Sequence, residues 1–250
     1  MNQNDVMNYW YAYIYDQQVI QDDVQHIIKT IGPTLQNILE VACGSGRISI
    51  PLAQKGHNVT GFDVDKAMLA RIPAKAAGLT NLNCYYADAI TDDWGSIYDV
   101  VILSGNVLVN IVTAGDYKQA QELFIKKAAS CVKQGGHMYL DFNCVNRPDV
   151  SPQTVEERVI FEGTDDRGTY GKYIMISGDY SSTARIDNST RRYEITPKGD
   201  KMFTVTKEMV KHFPAYQQVI SWLDKYGWEV QWHSPVEDGT FHAIIWARKK

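Results

Sequence analysis

Gly44 and Gly46 lie in a turn of small residues, Ala42-Cys43-Gly44-Ser45-Gly46, and a single acid, Asp63, closes the apolar run that follows. Glycines in such a turn let the backbone approach a ligand closely and take conformations barred to other residues. A helix start behind the turn presents free N–H groups to an anionic or carboxylate-bearing group. A carboxylate at the tip of the neighbouring strand can accept two hydrogen bonds from a ribose diol. These residue types point to binding of an adenosine derivative. A second acid, Asp88, follows a later apolar run and could accept a bond from an adenine amino group, or simply cap a turn.

The elements that must hold these groups are legible around them. Ile38-Leu39-Glu40-Val41 has the composition of a buried parallel strand. Ile48, Leu52 and Ala53 have helical spacing, with Pro51 confined to the first turn and Gly56 as the stop. Val59-Thr60-Gly61-Phe62 forms the next strand. Strand, tight turn, helix, strand and acid make half of a nucleotide-binding α/β fold. A dinucleotide fingerprint requires G-x-G-x-x-G, but Ser49 stands where the last glycine belongs, and in the frame starting at Ala42 that place is taken by Arg47. A phosphate loop would need Gly-Lys-Ser/Thr after the turn, which is absent.

Glu40-Val41-Ala42-Cys43-Gly44-Ser45-Gly46-Arg47, followed by Gly61-Phe62-Asp63-Val64-Asp65-Lys66-Ala67-Met68-Leu69, resembles the first two motifs of class I S-adenosylmethionine-dependent methyltransferases, and the whole arrangement resembles the small-molecule N-methyltransferases. Ala42 replaces the first glycine of the usual E/D-x-G-x-G-x-G. The resemblance implies that Ala42, Cys43, Gly44, Ser45 and Gly46 line the methionine part of the cofactor and that Asp63 holds the ribose. It places Val64 and Met68 near the adenine, with Asp88 on its amino group and the N–H of Ala89 on its ring. Ser104, at the end of the strand Tyr98–Leu103, completes the expected cofactor set at the carboxyl edge where open α/β sheets bind ligands.

Along the rest of the chain, residues 5–31 carry a helical pattern dense in tyrosine, and Tyr11 and Tyr15 share one face. Packing on the core and a lid over the cofactor are both consistent with that face. Residues 66–77 are expected to form one helix, Leu82–Tyr86 a strand, 116–133 an amphipathic helix and His137–Asn143 the fifth strand. The resemblance implies that the chain beyond this strand forms one wall of the acceptor pocket, which makes Asn143 and Arg147 candidates, although Asn-Arg-Pro also suits an ordinary turn. Asn106 could contact a ligand or cap a helix. Four alternating segments between 155 and 213, separated by turn-forming clusters, predict an antiparallel insert. A last helix from Pro214 to Tyr226 precedes a closing hairpin, Trp228–Trp232 with Phe241–Ala247. The expected fold is therefore α/β: a Rossmann-like, seven-stranded, mostly parallel sheet with an antiparallel last strand, plus a small antiparallel β insert. The expected division is 1–33 as a helical lid, 34–150 with 214–250 as the core, and 151–213 as the substrate cover, with a homodimer surface as the alternative use of the insert.

Composition narrows the class. A net charge of -4 and a pI near 5.9 argue against a nucleic-acid partner. No apolar run approaches the roughly 20 residues of a membrane span. The start MNQNDVMNYW has no basic region followed by an apolar core, so a cytoplasmic location is expected. Cys43, Cys84, Cys131 and Cys144 lack metal spacing and are expected to be reduced thiols, with no metal site. The expected activity is methyl transfer from S-adenosylmethionine to a small molecule, at an amine before a hydroxyl. Amines react in their neutral form without a dedicated base, whereas a hydroxyl needs one. Tyr11, Tyr15, Asn106, Asn143 and His212 are the candidate catalytic groups, and His242 is worth following. An O-methyltransferase, a nicotinamide-dependent oxidoreductase and a non-catalytic S-adenosylmethionine-binding protein are the alternatives.

Overall fold

A computed structural model of the chain describes residues 2–19, 21–111, 113, 115–144, 157–176, 178–237 and 240–250. Arg147 lies outside these residues. The chain divides into two compact units, one of Gln21–Val150 with His212–Lys250 and one of Met1–Ile20 with Ser151–Lys211. Two helices open it, α1 (Gln3–Gln18) and α2 (Asp22–Ile31), and they belong to different units. The helical pattern expected over 5–31 is thus carried by two helices, with Val19 and Gln21 outside both. α1 begins at Asn2, whose side chain accepts the Asp5 N–H, and ends at Val19 in extended backbone.

The larger unit is built on β1 (Asn37–Val41), α3 (Ser49–Gln54), β2 (Asn58–Asp63), α4 (Lys66–Leu69), α5 (Ile72–Lys75), β3 (Leu82–Tyr86), β4 (Tyr98–Leu103), α6 (Tyr117–Cys131) and β5 (Val132–Asn143). Its sheet order is completed by two C-terminal strands described below. One helix, 66–77, was expected where two short ones occur. Pro73 sits near the start of α5, where its missing N–H is harmless, and its ring forbids continuation of α4. β5 begins at Val132 and not at His137, because the chain runs through the glycine pair as strand, with Gly135 at φ +76°.

The smaller unit carries β6 (Glu157–Thr164), β7 (Tyr170–Ile176), β8 (Tyr180–Ser181), β9 (Ile186–Thr196) and β10 (Phe203–His212, the last residue of which belongs to the larger unit). These form the antiparallel sheet β10-β9-β7-β6, with β8 on β9. Period-2 alternation puts Tyr193 and Ile195 on one face, where Met7, Trp10 and Ile14 of α1 cover them. Trp10 also donates its indole N–H to the Gly163 carbonyl at 2.9 Å. That apolar packing is why α1 groups with the insert.

The chain ends with α7 (Tyr216–Lys225), β11 (Trp228–His233) and β12 (His242–Lys249) in the larger unit. The seven strands run in the order β11-β12-β5-β4-β1-β2-β3. β1 pairs in parallel with β2 and β4, and β4 with β5, whereas β12 is antiparallel to both neighbours. β1 and β4 are apolar on both faces (Ile38, Leu39, Val100, Val101 and Ile102 are fully buried), as a central parallel strand requires. On one face lie Val24, Ile27 and Ile31 of α2 with Leu52 of α3. On the other lie Phe124 and Ala128 of α6 with Val219 and Trp222 of α7. The expected fold class is the observed one. It brings the ends of β1 to β5 and the start of β12, at His242 opposite Asn143, to a single edge.

Candidate functional site

At that edge the turn after β1 is shaped by three left-handed residues, Ala42 (φ +59°), Gly44 (φ +56°) and Gly46 (φ +81°). Ala42 takes a conformation that costs an L-residue roughly 1–2 kcal/mol, so the alanine-for-glycine exchange preserves the turn under strain. A Cβ on Gly46 would come 2.9 Å from Ile50 Cδ1 of α3, and its φ is one that side-chain-bearing residues rarely adopt, so space and conformation both favour glycine there. A Cβ on Gly44 would meet nothing within 4 Å, so this side of the turn faces open space. Gly61 on β2 is needed for room: its Cβ would stand 2.9 Å from Cys43 Cβ and 3.1 Å from Cys84 Sγ. All four cysteines are free thiols, and three of them are buried.

Asp63 ties this turn to β2. Its Oδ2 accepts the Gly44 N–H at 2.7 Å and its Oδ1 accepts the Asp65 N–H at 2.8 Å. Burial pushes its carboxyl up from the usual carboxylate range, and the two N–H groups pull it back. Each oxygen keeps a lone pair, which is the acceptor pair a vicinal diol needs. Behind the turn, Glu40 is buried and takes a hydrogen bond from the Ser49 hydroxyl of α3. Burial drives its carboxyl up to about 8. Arg47 reaches from the turn to an ion pair with Asp23 of α2.

Val64 is 56% exposed beside Asp63, whereas Met68 is buried. Asp65 caps α4 through the Ala67 and Met68 N–H groups and so has a separate task. Asp88 Oδ1 accepts the Ile90 N–H at 2.7 Å, the turn-forming use anticipated as its alternative. Its Oδ2 and the Ala89 N–H make no hydrogen bond among the described residues, leaving an acceptor and a donor side by side. The edge thus carries a diol-accepting carboxylate, an exposed aliphatic slab and an acceptor–donor pair. This donor set fits an adenosine group.

Ser104 turns its hydroxyl to the buried Asp141 of β5. The same carboxylate accepts the N–H groups of Gly105 at 3.2 Å and Asn106 at 3.1 Å. Asn106, held at φ +62°, accepts the Asn143 N–H at 2.7 Å, and Asn143 Oδ1 meets His242 Nδ1 at 2.9 Å. Ser104, Asn106, Asn143 and His242 are therefore one continuous polar chain across the ends of β4, β5 and β12. Asp141, its centre, was read only as a strand residue. An acid inside an otherwise apolar strand, His-Met-Tyr-Leu-Asp-Phe-Asn, was the available signal.

The other candidates have other partners. His212 is buried, with Nδ1 2.8 Å from Gln121 Oε1, while Gln121 Nε2 donates to the Leu108 and His212 carbonyls. Tyr11 and Tyr15 belong to the aromatic packing of the smaller unit, where Tyr11 meets Phe161, Tyr173 and Tyr193 at centroid separations of 6.0, 5.4 and 5.9 Å. Among the described residues no group of three or more His, Cys, Asp or Glu side chains is placed to hold a metal ion. No helix of the described residues is long and apolar enough to cross a membrane.

Residues 38–136 match the family model described as a methyltransferase domain. The chain is 33% identical over 113 residues to a 23S rRNA (uracil-C5) methyltransferase of Shewanella halifaxensis, covering 42% of this chain and 24% of that protein. It spans 24%, 64% and 40% of the lengths of the first three curated relatives it matches. Among solved structures, an S-adenosylmethionine-dependent methyltransferase of Clostridium acetobutylicum superposes with a TM-score of 0.71 at 16% identity, covering 96% of this chain and 97% of that one. An S-adenosylmethionine-bound amino pentose methyltransferase of Micromonospora echinaspora superposes with a TM-score of 0.67 at 15% identity, covering 96% and 95%. At that identity these likenesses speak for the fold. The methyltransferase-domain match thus lies over the strands that build the edge, and the antiparallel β12 beside a glycine turn clasped by Asp63 is the fold of those S-adenosylmethionine-dependent methyltransferase structures.

Proposed function

We propose that the chain transfers a methyl group from S-adenosylmethionine to a small molecule, at an amine in preference to a hydroxyl. The observation that carries this reading is Asp63, whose oxygens each spend one lone pair on the loop and keep one for a ribose diol. The turn 42–46 and Asp63 would hold the methionine and ribose parts, and Val64, Asp88 and Ala89 the adenine. Bound there, the cofactor supplies a methyl group already activated by its sulfonium charge. The protein's share is alignment of the acceptor and exclusion of water. The polar chain from Ser104 to His242 gives the acceptor side its hydrogen-bonding groups. The amine preference is supported by a solved sugar N-methyltransferase of Streptoalloteichus with the same fold, and it requires no base.

A hydroxyl acceptor is the second reading, and His242 favours it. Asn143 Oδ1 only accepts, so its contact places the proton on Nδ1 and leaves Nε2 as a proton acceptor. Against a nicotinamide cofactor stand the antiparallel β12 and Ser49, whose hydroxyl is committed to Glu40. Calorimetry with S-adenosylhomocysteine and with NAD separates the two, because NAD binding without a response to the thioether would overturn the proposal. Release of S-adenosylhomocysteine over a panel of amines and alcohols then separates amine transfer, hydroxyl transfer and binding without turnover.

A further inference from the structure

We propose that Lys127 is a positioning residue for the adenine end of the cofactor site, an inference that rests on the S-adenosylmethionine reading. Lys127 projects from α6 onto the turn after β3. Its ammonium donates to the carbonyl oxygens of Ala89 at 2.9 Å, Ile90 at 2.7 Å and Asp92 at 2.8 Å. Three N–H donors meet three acceptors of one turn, so the group is fully satisfied. Trp94 adds a fourth tie, its indole N–H donating to the Ala89 carbonyl at 2.9 Å. The turn closes on itself through Asp92 N–H to the Asp88 carbonyl at 2.9 Å and Asp88 N–H to Asp92 Oδ2 at 2.8 Å.

The turn needs that cation. It packs Asp88, Asp92 and Asp93 into six residues, and their mutual repulsion favours opening it. The three carboxylates in turn support the Lys127 charge, while burial pulls its pKa down. Immobilising a lysine side chain costs conformational entropy, so a lysine held at three points marks a turn whose shape matters. What that shape leaves open is specific. Asp88 Oδ2 and the Ala89 N–H are unspent among the described residues, and they are the acceptor and donor that an amino-bearing purine edge would meet. Holding the Ala89 and Ile90 carbonyls fixes the peptide planes just beyond that pair and so fixes the direction in which it points.

The test compares S-adenosylhomocysteine with S-inosylhomocysteine, in which an oxygen replaces the adenine amino group. Calorimetry on the wild-type protein should favour the amino base by about tenfold or more, the size of one charge-assisted hydrogen bond. Lys127→Met, which keeps the stem, should weaken S-adenosylhomocysteine by about tenfold and bring the ratio between the two ligands towards one. Lys127→Arg should fall between, because a planar fork cannot meet three converging carbonyls. If the methionine variant does not fold, the ratio in the arginine variant decides. Amide exchange of residues 89–93 should quicken in the variants while that of β4 stays protected. A wild-type ratio retained in either folded variant overturns the proposal, whatever its melting temperature. Failure of the wild-type protein to bind either thioether would instead overturn the S-adenosylmethionine reading beneath it.

Discussion

Replacing Asp63 tests the site most directly. The carboxylate accepts Gly44 N–H at 2.7 Å through one oxygen and Asp65 N–H at 2.8 Å through the other. Two of its roughly four lone-pair positions are thereby used, and one remains on each oxygen for the two ribose hydroxyls. Charge-assisted bonds contribute about 1.5–3 kcal/mol each, so losing both should cost about 3 kcal/mol or more. Asp63→Ala should therefore weaken S-adenosylhomocysteine by roughly 100-fold or more in calorimetry. Asp63→Asn keeps the volume but turns one acceptor into a donor, and it should cost about tenfold. Because Asp63 also clamps the turn, part of the alanine effect would be loop loosening. The 2′-deoxy analogue of the ligand isolates the diol: it should bind the wild-type protein less tightly than the parent compound, and the Asp63→Ala variant about equally. Burial raises the Asp63 carboxyl, so wild-type affinity should fall on acidification at a higher pH than for a free carboxylate. Affinity within twofold of wild type in Asp63→Ala, or an equal 2′-deoxy penalty in both proteins, would refute the reasoning.

Further expectations follow from the same edge. Ala42→Gly relieves a left-handed alanine (about 1–2 kcal/mol) against the extra unfolded-state freedom of glycine (about 0.5–1 kcal/mol), so thermal unfolding should shift upward by a few degrees at most; a fall would contradict the strain. Asp141→Asn removes an acceptor shared by Ser104, Gly105 and Asn106 and should destabilise the larger unit by about 2–4 kcal/mol in urea, with faster amide exchange at 105, 106 and 143. Unchanged exchange there would detach Asp141 from the acceptor edge. Glu40, raised from 4.5 to about 8, holds its proton in the folded chain where the unfolded chain has released it. Its contribution is therefore full below about 4.5 and is lost as pH rises to about 8. Glu40→Gln should flatten the decline of melting temperature over that window, and an unchanged slope would place the titration elsewhere.

Much of the edge was legible because its determinants are local. Glycines two apart after an apolar run, and an acid closing the next run, declare turn and strand ends within one βαβ unit, and Asp63 was found on that ground. The hairpin insert was legible for the same reason, since alternation and turn clusters act over a few residues. The misreadings are local as well: Pro73 divides a helix that alanine content alone suggested was continuous, and Gly135-Gly136 stays within a strand. What escaped the sequence is the second layer of contacts. Lys127 fell within the amphipathic helix expected over 116–133 and Asp141 within the fifth strand, and Asp23 carried no reading at all.

The chain alone marked the residues expected to touch an adenosine group, because strand, turn and helix propensities and the side-chain chemistry of the turn act within some thirty positions. Tertiary structure decided what aims them. Lys127 comes 38 residues after Ala89 and Asp141 comes 37 after Ser104. Such pairs meet only once the sheet has ordered β3, β4 and β5 and laid α6 against them. A hydrogen bond depends on distance and angle between atoms, and sequence spacing carries neither across a crossover.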